Sequence, residues 1–232
     1  MDRVHRHELK HDKFVEQVGH TVEYAAEHKQ QVVRWTLIGV AALFVILGFY
    51  WYTRYQAGQR QDAFREAIRV QEAQVGQTSS PFFTTFATEA EKQKAVDKAW
   101  NDLANNYSGS AEAAIAHYYM GVNAADRGNT QEAEKHFKQV ADSGKDAYAS
   151  QGTLALAQIY ESTGRTAEAE KLLRGLIDDP TIMVSKEQAT IALAKLLSKT
   201  RPADARKLLE PLRTERGAVS RAAITLLSEM PR

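Results

Sequence analysis

The sequence predicts an all-α protein in which a single transmembrane helix precedes a solenoid of stacked helical hairpins. Three observations predict this architecture. Helix-favouring residues dominate a chain that contains five prolines. One uncharged apolar stretch covers residues 35–53, about the length that a helix needs to cross a bilayer. A pattern of small and large apolar residues recurs at a 36-residue interval in the C-terminal half, as in repeat proteins.

Composition narrows the functional classes. The 232 residues carry a formal net charge of +1, so no overall electrostatic field favours nucleic acid, and we expect no nucleic-acid partner. The absence of cysteine excludes disulfides, thiolate metal sites and cysteine nucleophiles. It is compatible with an oxidising envelope compartment, although cytosolic proteins without cysteine also exist.

The stretch from Trp35 to Thr53 predicts the transmembrane helix. It contains no charged residue, and at 1.5 Å of rise per residue it spans roughly the 30 Å hydrocarbon layer. The rival interpretation is a cleaved signal peptide. The apolar region of a signal peptide is usually only about 7 to 15 residues long and is followed by small residues, whereas Trp-Tyr-Thr-Arg-Tyr follows here. Basic residues flank both ends, so charge counting does not decide the orientation.

The expected segments follow from changes in the apolar pattern. Phe14, Val18 and Val22 recur at helical spacing and predict an amphipathic juxtamembrane helix, with a solvated tail as the alternative. Turn-forming residues after Gly76 predict a break. The predicted segments are residues 1–34 for the N-terminal segment, 35–53 for the transmembrane helix, 54–75 for a helical rod continuing from it, 76–88 for a linker and 89–232 for the repeat domain.

The 36-residue repeat combines one small and two large apolar positions. The positions are Ala133, Ala169 and Ala205, then Phe137, Leu173 and Leu209, then Val140, Leu176 and Leu212. A small side chain lets the partner helix approach closely, while the large residue a turn later fills the gap beside it. A weaker half-unit, Ala99 and Leu103, lies about one period upstream, 34 residues before Ala133 and Phe137. Each unit is therefore predicted to be a helical hairpin that is stable only in a stack.

Glycines predict where the first helix of each hairpin ends. Gly128 and Gly164 occupy these places, and glycine adopts the left-handed C-cap conformation without steric cost. Thr200 stands there in the third unit, and Pro202 can open the next helix. We therefore expect the third turn to be built differently. The final stretch, residues 221–227, echoes residues 188–194 and would cap the stack.

At these residues the sequence resembles the tetratricopeptide repeat. The first unit matches the family pattern at Met120, Gly121, Gly128, Ala133 and Phe137. The second unit matches it at Leu156, Ala157, Tyr160, Gly164, Ala169 and Leu173. The departures are His117 and Thr153 in place of tryptophan, Ala124 in place of tyrosine, and Val140 and Leu176 in place of the last alanine.

The resemblance implies a protein-binding groove, because the first helices of such hairpins line a concave surface. By the family register, the groove residues would be Tyr118, Val122, Leu154, Gln158, Glu161, Gln188, Ile191 and Lys195. An extended or helical peptide could bind there through modest apolar and hydrogen-bonded contacts.

The layout of the whole chain resembles the bacterial ancillary SecYEG translocon subunit family. The resemblance rests on a short charged N-terminus, one membrane helix and a degenerate C-terminal repeat domain. It implies a single-pass inner-membrane protein with a cytoplasmic N-terminus and a periplasmic repeat domain. Its partners would be translocon subunits, exported chains or periplasmic chaperones. An envelope scaffold with no role in export is the alternative, because a repeat encodes a stackable shape rather than a partner.

One motif suggests an enzyme. Residues 7–11, His-Glu-Leu-Lys-His, match H-E-x-x-H, in which two histidines bind zinc and the glutamate acts as the base. A metalloprotease also needs a third ligand and an enclosed pocket, whereas this motif lies on a short tail before the predicted anchor. We therefore expect no enzymatic activity, no cofactor and no catalytic metal, with adventitious metal binding by His7 and His11 as the simpler interpretation.

Overall fold

The computed structural model describes residues 29–76, 84–143 and 147–230. The predicted N-terminal helix before Lys29 and the H-E-x-x-H motif lie outside the described residues. The chain divides into two compact units, Met1–Gly58 and Gln59–Arg232. In the described part, the first unit consists of helix, and the second is helical apart from its turns and one pair of very short strands. The all-α prediction is thus confirmed.

The first helix is long and apolar enough to cross a membrane. Helix α1 runs from Lys29 to Gln71 and contains an 18-residue window of mean hydropathy 2.2, none of which is buried within the chain. Large side chains such as Trp35, Phe44 and Trp51 are exposed along it. The core helix of a soluble protein would bury such residues, so the exposure fits a helix whose apolar surface needs lipid.

The remaining helices form the repeat domain. Their bounds are Glu89–Asn106 (α2), Ala111–Asp126 (α3), Thr130–Asp142 (α4), Ala147–Ser162 (α5), Thr166–Asp178 (α6), Lys186–Leu197 (α7), Pro202–Leu209 (α8) and Ala218–Glu229 (α9), with a 3₁₀ helix at Pro211–Thr214. From α2 to α8, each helix packs against the next along the chain, and α9 packs against α7, α8 and the 3₁₀ helix. The hairpins are therefore α3–α4, α5–α6 and α7–α8, with α9 at the end.

A small parallel β-ladder pairs the last two residues of the predicted rod with two residues of the predicted linker. Strand β1, Gln74–Val75, pairs with β2, Thr85–Phe86, so that Gln74 faces Thr85 and Val75 faces Phe86. Helix α2 begins three residues after β2. Thr88 caps it by accepting a hydrogen bond from the backbone N–H of Glu91.

Capping residues and glycines define the ends of several helices. Ser110, Asn129 and Ser185 cap the N-termini of α3, α4 and α7 through their side-chain oxygens. Gly128 follows α3 in the left-handed conformation, with φ +75°, and the N–H of Asn129 donates to the carbonyl of Ala124 at 2.9 Å. This is a Schellman turn, and Gly164 forms the same arrangement after α5.

The third turn is built differently, as its sequence predicts. Among the described residues every positive φ belongs to a glycine, so Thr200 does not take the left-handed role. Instead, the N–H of Arg201 donates to the carbonyl of Leu197 at 2.7 Å, and Pro202 begins α8. Proline fits this first helical position because it has no N–H to leave unpaired.

Close helix approach defines the core of the stack. Ala133, Ala169 and Ala205 are each fully buried. A Cβ atom at Gly121 would lie 2.6 Å from the ring of Phe137, and one at Gly152 would lie 2.6 Å from Val140. These distances are shorter than van der Waals contact. Side chains of α4 therefore pack directly against the backbone of α3 at Gly121 and of α5 at Gly152.

The end of α1 takes part in this packing. Ala67 and Val70 form a buried cluster with Val96, Trp100 and Leu103 of α2. The indole N–H of Trp100 donates to Gln71 at 2.8 Å, and Gln71 also exchanges hydrogen bonds with Asn123 of α3. Packing of the repeat domain therefore begins within the predicted rod, before the domain start predicted at residue 89.

We expect Gly152→Ala to destabilise the domain. Alanine is ordinarily better than glycine inside a helix by roughly 0.5–1 kcal/mol, but the new methyl group would strike Val140, and overpacking costs about 1–3 kcal/mol. Gly175→Ala is the matched control, because a Cβ in α6 meets nothing within 4 Å; it should stabilise. Thermal unfolding of full-length protein in detergent, followed by circular dichroism, compares them. A Gly152→Ala midpoint at or above wild type would contradict the close packing.

Candidate functional site

The eight predicted groove residues lie on the first helices of the three hairpins. Tyr118 and Val122 are on α3, Leu154, Gln158 and Glu161 on α5, and Gln188, Ile191 and Lys195 on α7. Their exposure differs: Gln158, Gln188 and Lys195 are exposed, Glu161 is intermediate, and Tyr118, Val122 and Ile191 pack partly buried against the core.

Leu154 belongs to the hydrophobic core. Its exposed fraction is 9%, and it packs in the same cluster as Phe137 and Leu173. A partner on the surface would find little of this side chain. A charged substitution there would unfold the hairpin by burying an unpaired charge, so it would not report on binding.

The structure brings three of the predicted residues together in one open cleft. A cleft of about 700 Å³ lies between α5 and α7, and Gln158, Glu161 and Lys195 line it. The other five predicted residues do not line it. The predicted groove set did not include the remaining lining residues, which are Ala157, Ser162, Leu173, Ala192 and Lys199. For Lys199 a signal existed, since it lies four residues after Lys195 and so about one helical turn further on.

The cleft combines a small apolar floor with a charged rim. Ala192 is partly exposed and provides the apolar surface, while Ala157 and Leu173, at 1% and 3% exposure, lie buried beneath it. Among the described residues, none of the ion pairs involves Glu161, Lys195 or Lys199. These charges are therefore available to a ligand. Amide, carboxylate and ammonium groups around an apolar floor suit non-covalent binding of a polypeptide.

A series of ion pairs joins each hairpin to the next. Glu134 of α4 pairs with Arg165, the residue before α6, and its carboxylate lies 3.0 Å from Nη1. One 36-residue period later, Glu170 of α6 pairs with Arg201, the residue before α8. Sequence analysis missed this repeated contact, although both partners recur at the interval of the apolar repeat.

A similar ion pair lies one hairpin earlier in the chain. Asp97 of α2 accepts a hydrogen bond from Nη1 of Arg127, in the turn after α3, at 3.0 Å. Each of these pairs thus links the second helix of one helix pair to the turn of the next. Since the guanidinium group fixes direction as well as distance, the pairs restrict rotation between successive hairpins.

The electrostatics of the Glu134 pair are strong for a surface contact. Hydrogen bonds from Arg165 and then from Lys138 lower the pKa of Glu134 to about 2. The guanidinium of Arg165 also lies over the ring of Tyr160, 4.0 Å from its centroid. In the next hairpin, hydrogen bonds from Arg174 and Arg201 lower the pKa of Glu170.

Within residues 29–76, 84–143 and 147–230, no group of three or more His, Cys, Asp or Glu side chains is placed to hold a metal ion. The described residues therefore contain no set of three or four such side chains that could form a closed, four-coordinate structural zinc site.

We expect Glu134→Gln to reduce the acid sensitivity of the domain. A depressed pKa contributes stability that is present above the unfolded pKa, near 4.3, and is lost as the pH falls towards 2. The substitution should cost about 0.5–1 kcal/mol at pH 7, and the variant should lose less stability than wild type between pH 5 and pH 2. Urea unfolding of the full-length protein in detergent measures both.

Glu215→Gln is the matched control, because this exposed carboxylate forms no salt bridge within the described part of the chain. It should leave the pH dependence as in wild type. Equal acid-induced losses in wild type and Glu134→Gln would show that the pair contributes nothing to folding.

Comparison with known proteins assigns the domain. The profile described as a tetratricopeptide repeat-like domain matches residues 27–178, about two thirds of the chain. No curated protein and no solved structure matches the chain. The matched region begins before α1 and ends with α6, so it includes the packed end of α1 together with α2 and the first two hairpins. The chain belongs to the tetratricopeptide repeat-like domain family.

Proposed function

We propose that this chain is a membrane-anchored protein–protein interaction module that binds a partner polypeptide in the cleft between α5 and α7. Tetratricopeptide repeat-like domains generally mediate protein interactions. The observation that carries the proposal is the cleft itself, where a small apolar floor lies beside Glu161, Lys195 and Lys199, which form no ion pair with another described residue. The long apolar helix α1 supplies the anchor.

The mode of binding follows from the chemistry of the cleft. A short apolar side chain of the partner would contact Ala192, a small residue that is partly exposed in the cleft. The amide of Gln158 can donate to and accept from a peptide group. Glu161 would contact a basic group of the partner and Lys195 an acidic one. Such contacts favour transient binding of many sequences over tight binding of one.

We propose further that the partners are translocon subunits, exported chains or periplasmic chaperones. The support is the layout of the chain, in which one membrane-length helix precedes a repeat domain, as in the ancillary SecYEG translocon subunit family. In this arrangement the N-terminus is cytoplasmic and the repeat domain periplasmic, at the inner membrane. The alternative is an envelope scaffold that uses the same cleft to organise another membrane complex.

Site-specific photocrosslinking tests the cleft. A photoreactive phenylalanine analogue at Gln158 or Lys195 should crosslink a partner in living cells. The same analogue at Lys171, exposed on α6 and outside the cleft lining, is the matched control and should not. Lys195→Glu reverses the charge of the rim and should weaken partner recovery by up to about tenfold. Equal crosslinking at Lys171 and Gln158 would place the site elsewhere.

The identity of the crosslinked partner separates the two functions. Recovery of translocon subunits and exported precursors supports the export accessory. Recovery of an unrelated envelope complex, with crosslinks still confined to the cleft, supports the scaffold and rejects the export role.

Protease accessibility tests the orientation. Protease added to intact spheroplasts should digest the repeat domain and leave the segment before α1 protected, because the bilayer would separate them. Lysed spheroplasts, in which both parts should be digested, are the control. A repeat domain that resists protease until lysis would reverse the proposed orientation.

A further inference from the structure

Two histidines meet inside the first hairpin. His117 lies on α3 and His136 on α4, nineteen positions apart in sequence, and their Nδ1 atoms are 3.2 Å apart. Their rings are nearly parallel, with centroids separated by 5.4 Å and planes inclined by 23°. One Nδ1–H must donate to the other Nδ1 when nothing else is bound, because two lone pairs at this distance repel each other.

The Nδ1 separation matches that of two ligands of one metal ion. Imidazole nitrogen binds Zn²⁺ at about 2.0–2.1 Å, and two such bonds at the tetrahedral angle place the nitrogens about 3.3–3.4 Å apart. The observed 3.2 Å is close to this value. A metal ion beside the two nitrogens would need small rotations of the rings and no movement of the helices.

The surroundings of the rings favour the ligand form of both. His136 is buried and His117 is partly buried, and burial disfavours the charged imidazolium form. A carboxylate oxygen of Glu132 lies 4.0 Å from Nε2 of His136. This distance is too long for a hydrogen bond, so the carboxylate contributes only a negative charge near the ring.

One histidine of the pair, His117, borders a second cleft. His117 lines a cleft of about 430 Å³ together with Gln139, Asp142 and Ser110. Water can therefore approach the pair from the His117 side, where it could complete the coordination of a bound ion. Asp142 lines the same cleft but forms no three-ligand group with the two histidines.

We propose that His117 and His136 form a binding site for a divalent transition-metal ion that bridges the two helices of the first hairpin. Two neutral imidazoles with water or carboxylate oxygen suit Zn²⁺, Cu²⁺ and Ni²⁺, whereas Mg²⁺ and Ca²⁺ prefer oxygen ligands alone. The bound ion would replace the shared proton between the rings and connect α3 to α4. This site is separate from the α5–α7 cleft and does not depend on its function.

The test must separate this site from the histidines of the N-terminal tail. The chain contains seven histidines, of which five, at positions 5, 7, 11, 20 and 28, precede α1. Full-length protein with these five changed to Gln should bind one equivalent of Zn²⁺ by calorimetric titration and unfold several degrees higher with the ion than without it. With Cu²⁺, electron paramagnetic resonance should show two nitrogen ligands.

Adding His117→Gln to this background should weaken Zn²⁺ binding at least about tenfold and abolish the rise in unfolding temperature, while Mg²⁺ should have no effect in either protein. Since His136 is buried and its replacement can disturb folding, His117→Gln is the deciding variant, with helical content measured as the folding control. Absence of saturable Zn²⁺ binding, or binding that His117→Gln leaves unchanged, would overturn the proposal.

Discussion

The stack depends on the close approach of neighbouring helices at positions that tolerate almost no side chain. Gly121 and Gly152 face Phe137 and Val140 of α4 so closely that a Cβ atom would overlap them. The same constraint appears as full burial of Ala133 and its two repeats. Because van der Waals attraction is short-ranged, this approach converts the large apolar residues of each hairpin into a continuous core. The positions of the turns, the ion pairs and the cleft all depend on this close spacing of the helices.

Ion pairs add direction to a core that specifies mainly distance. Apolar contacts permit small rotations between hairpins, whereas the Glu134–Arg165 and Glu170–Arg201 pairs require each turn to lie over the preceding second helix. Individually such pairs contribute little free energy at a surface. Repeated at each interface, they favour one relative rotation and therefore one curvature, which sets the width of any groove that the first helices form.

Sequence predicted the parts of this fold that repeat. The period, the glycine turns and the different third turn were readable because each follows from local chemistry at a known spacing. The packing of Ala67 with Trp100 was not readable from the sequence. A long segment separates α1 from α2, and α1 is continuous with the apolar stretch. In the site, register identified helix faces but could not separate Leu154, which is buried, from Gln158, which lines the cleft. That difference depends on helix rotation, which long-range contacts determine.

Small residues have two opposite effects in this domain, and the difference explains why a cleft can exist in a tightly packed stack. Where a partner helix lies directly above them, as at Ala133, they allow contact and disappear from the surface. Where no helix covers a small residue, as at Ala192 beside the cleft, the missing side-chain volume remains as open space. Leu173 closes the bottom of that space from the second helix of the hairpin. A binding surface therefore arises from the alanine-rich composition of the repeat without loss of core, and the charged residues on its rim can vary without disturbing the packing beneath.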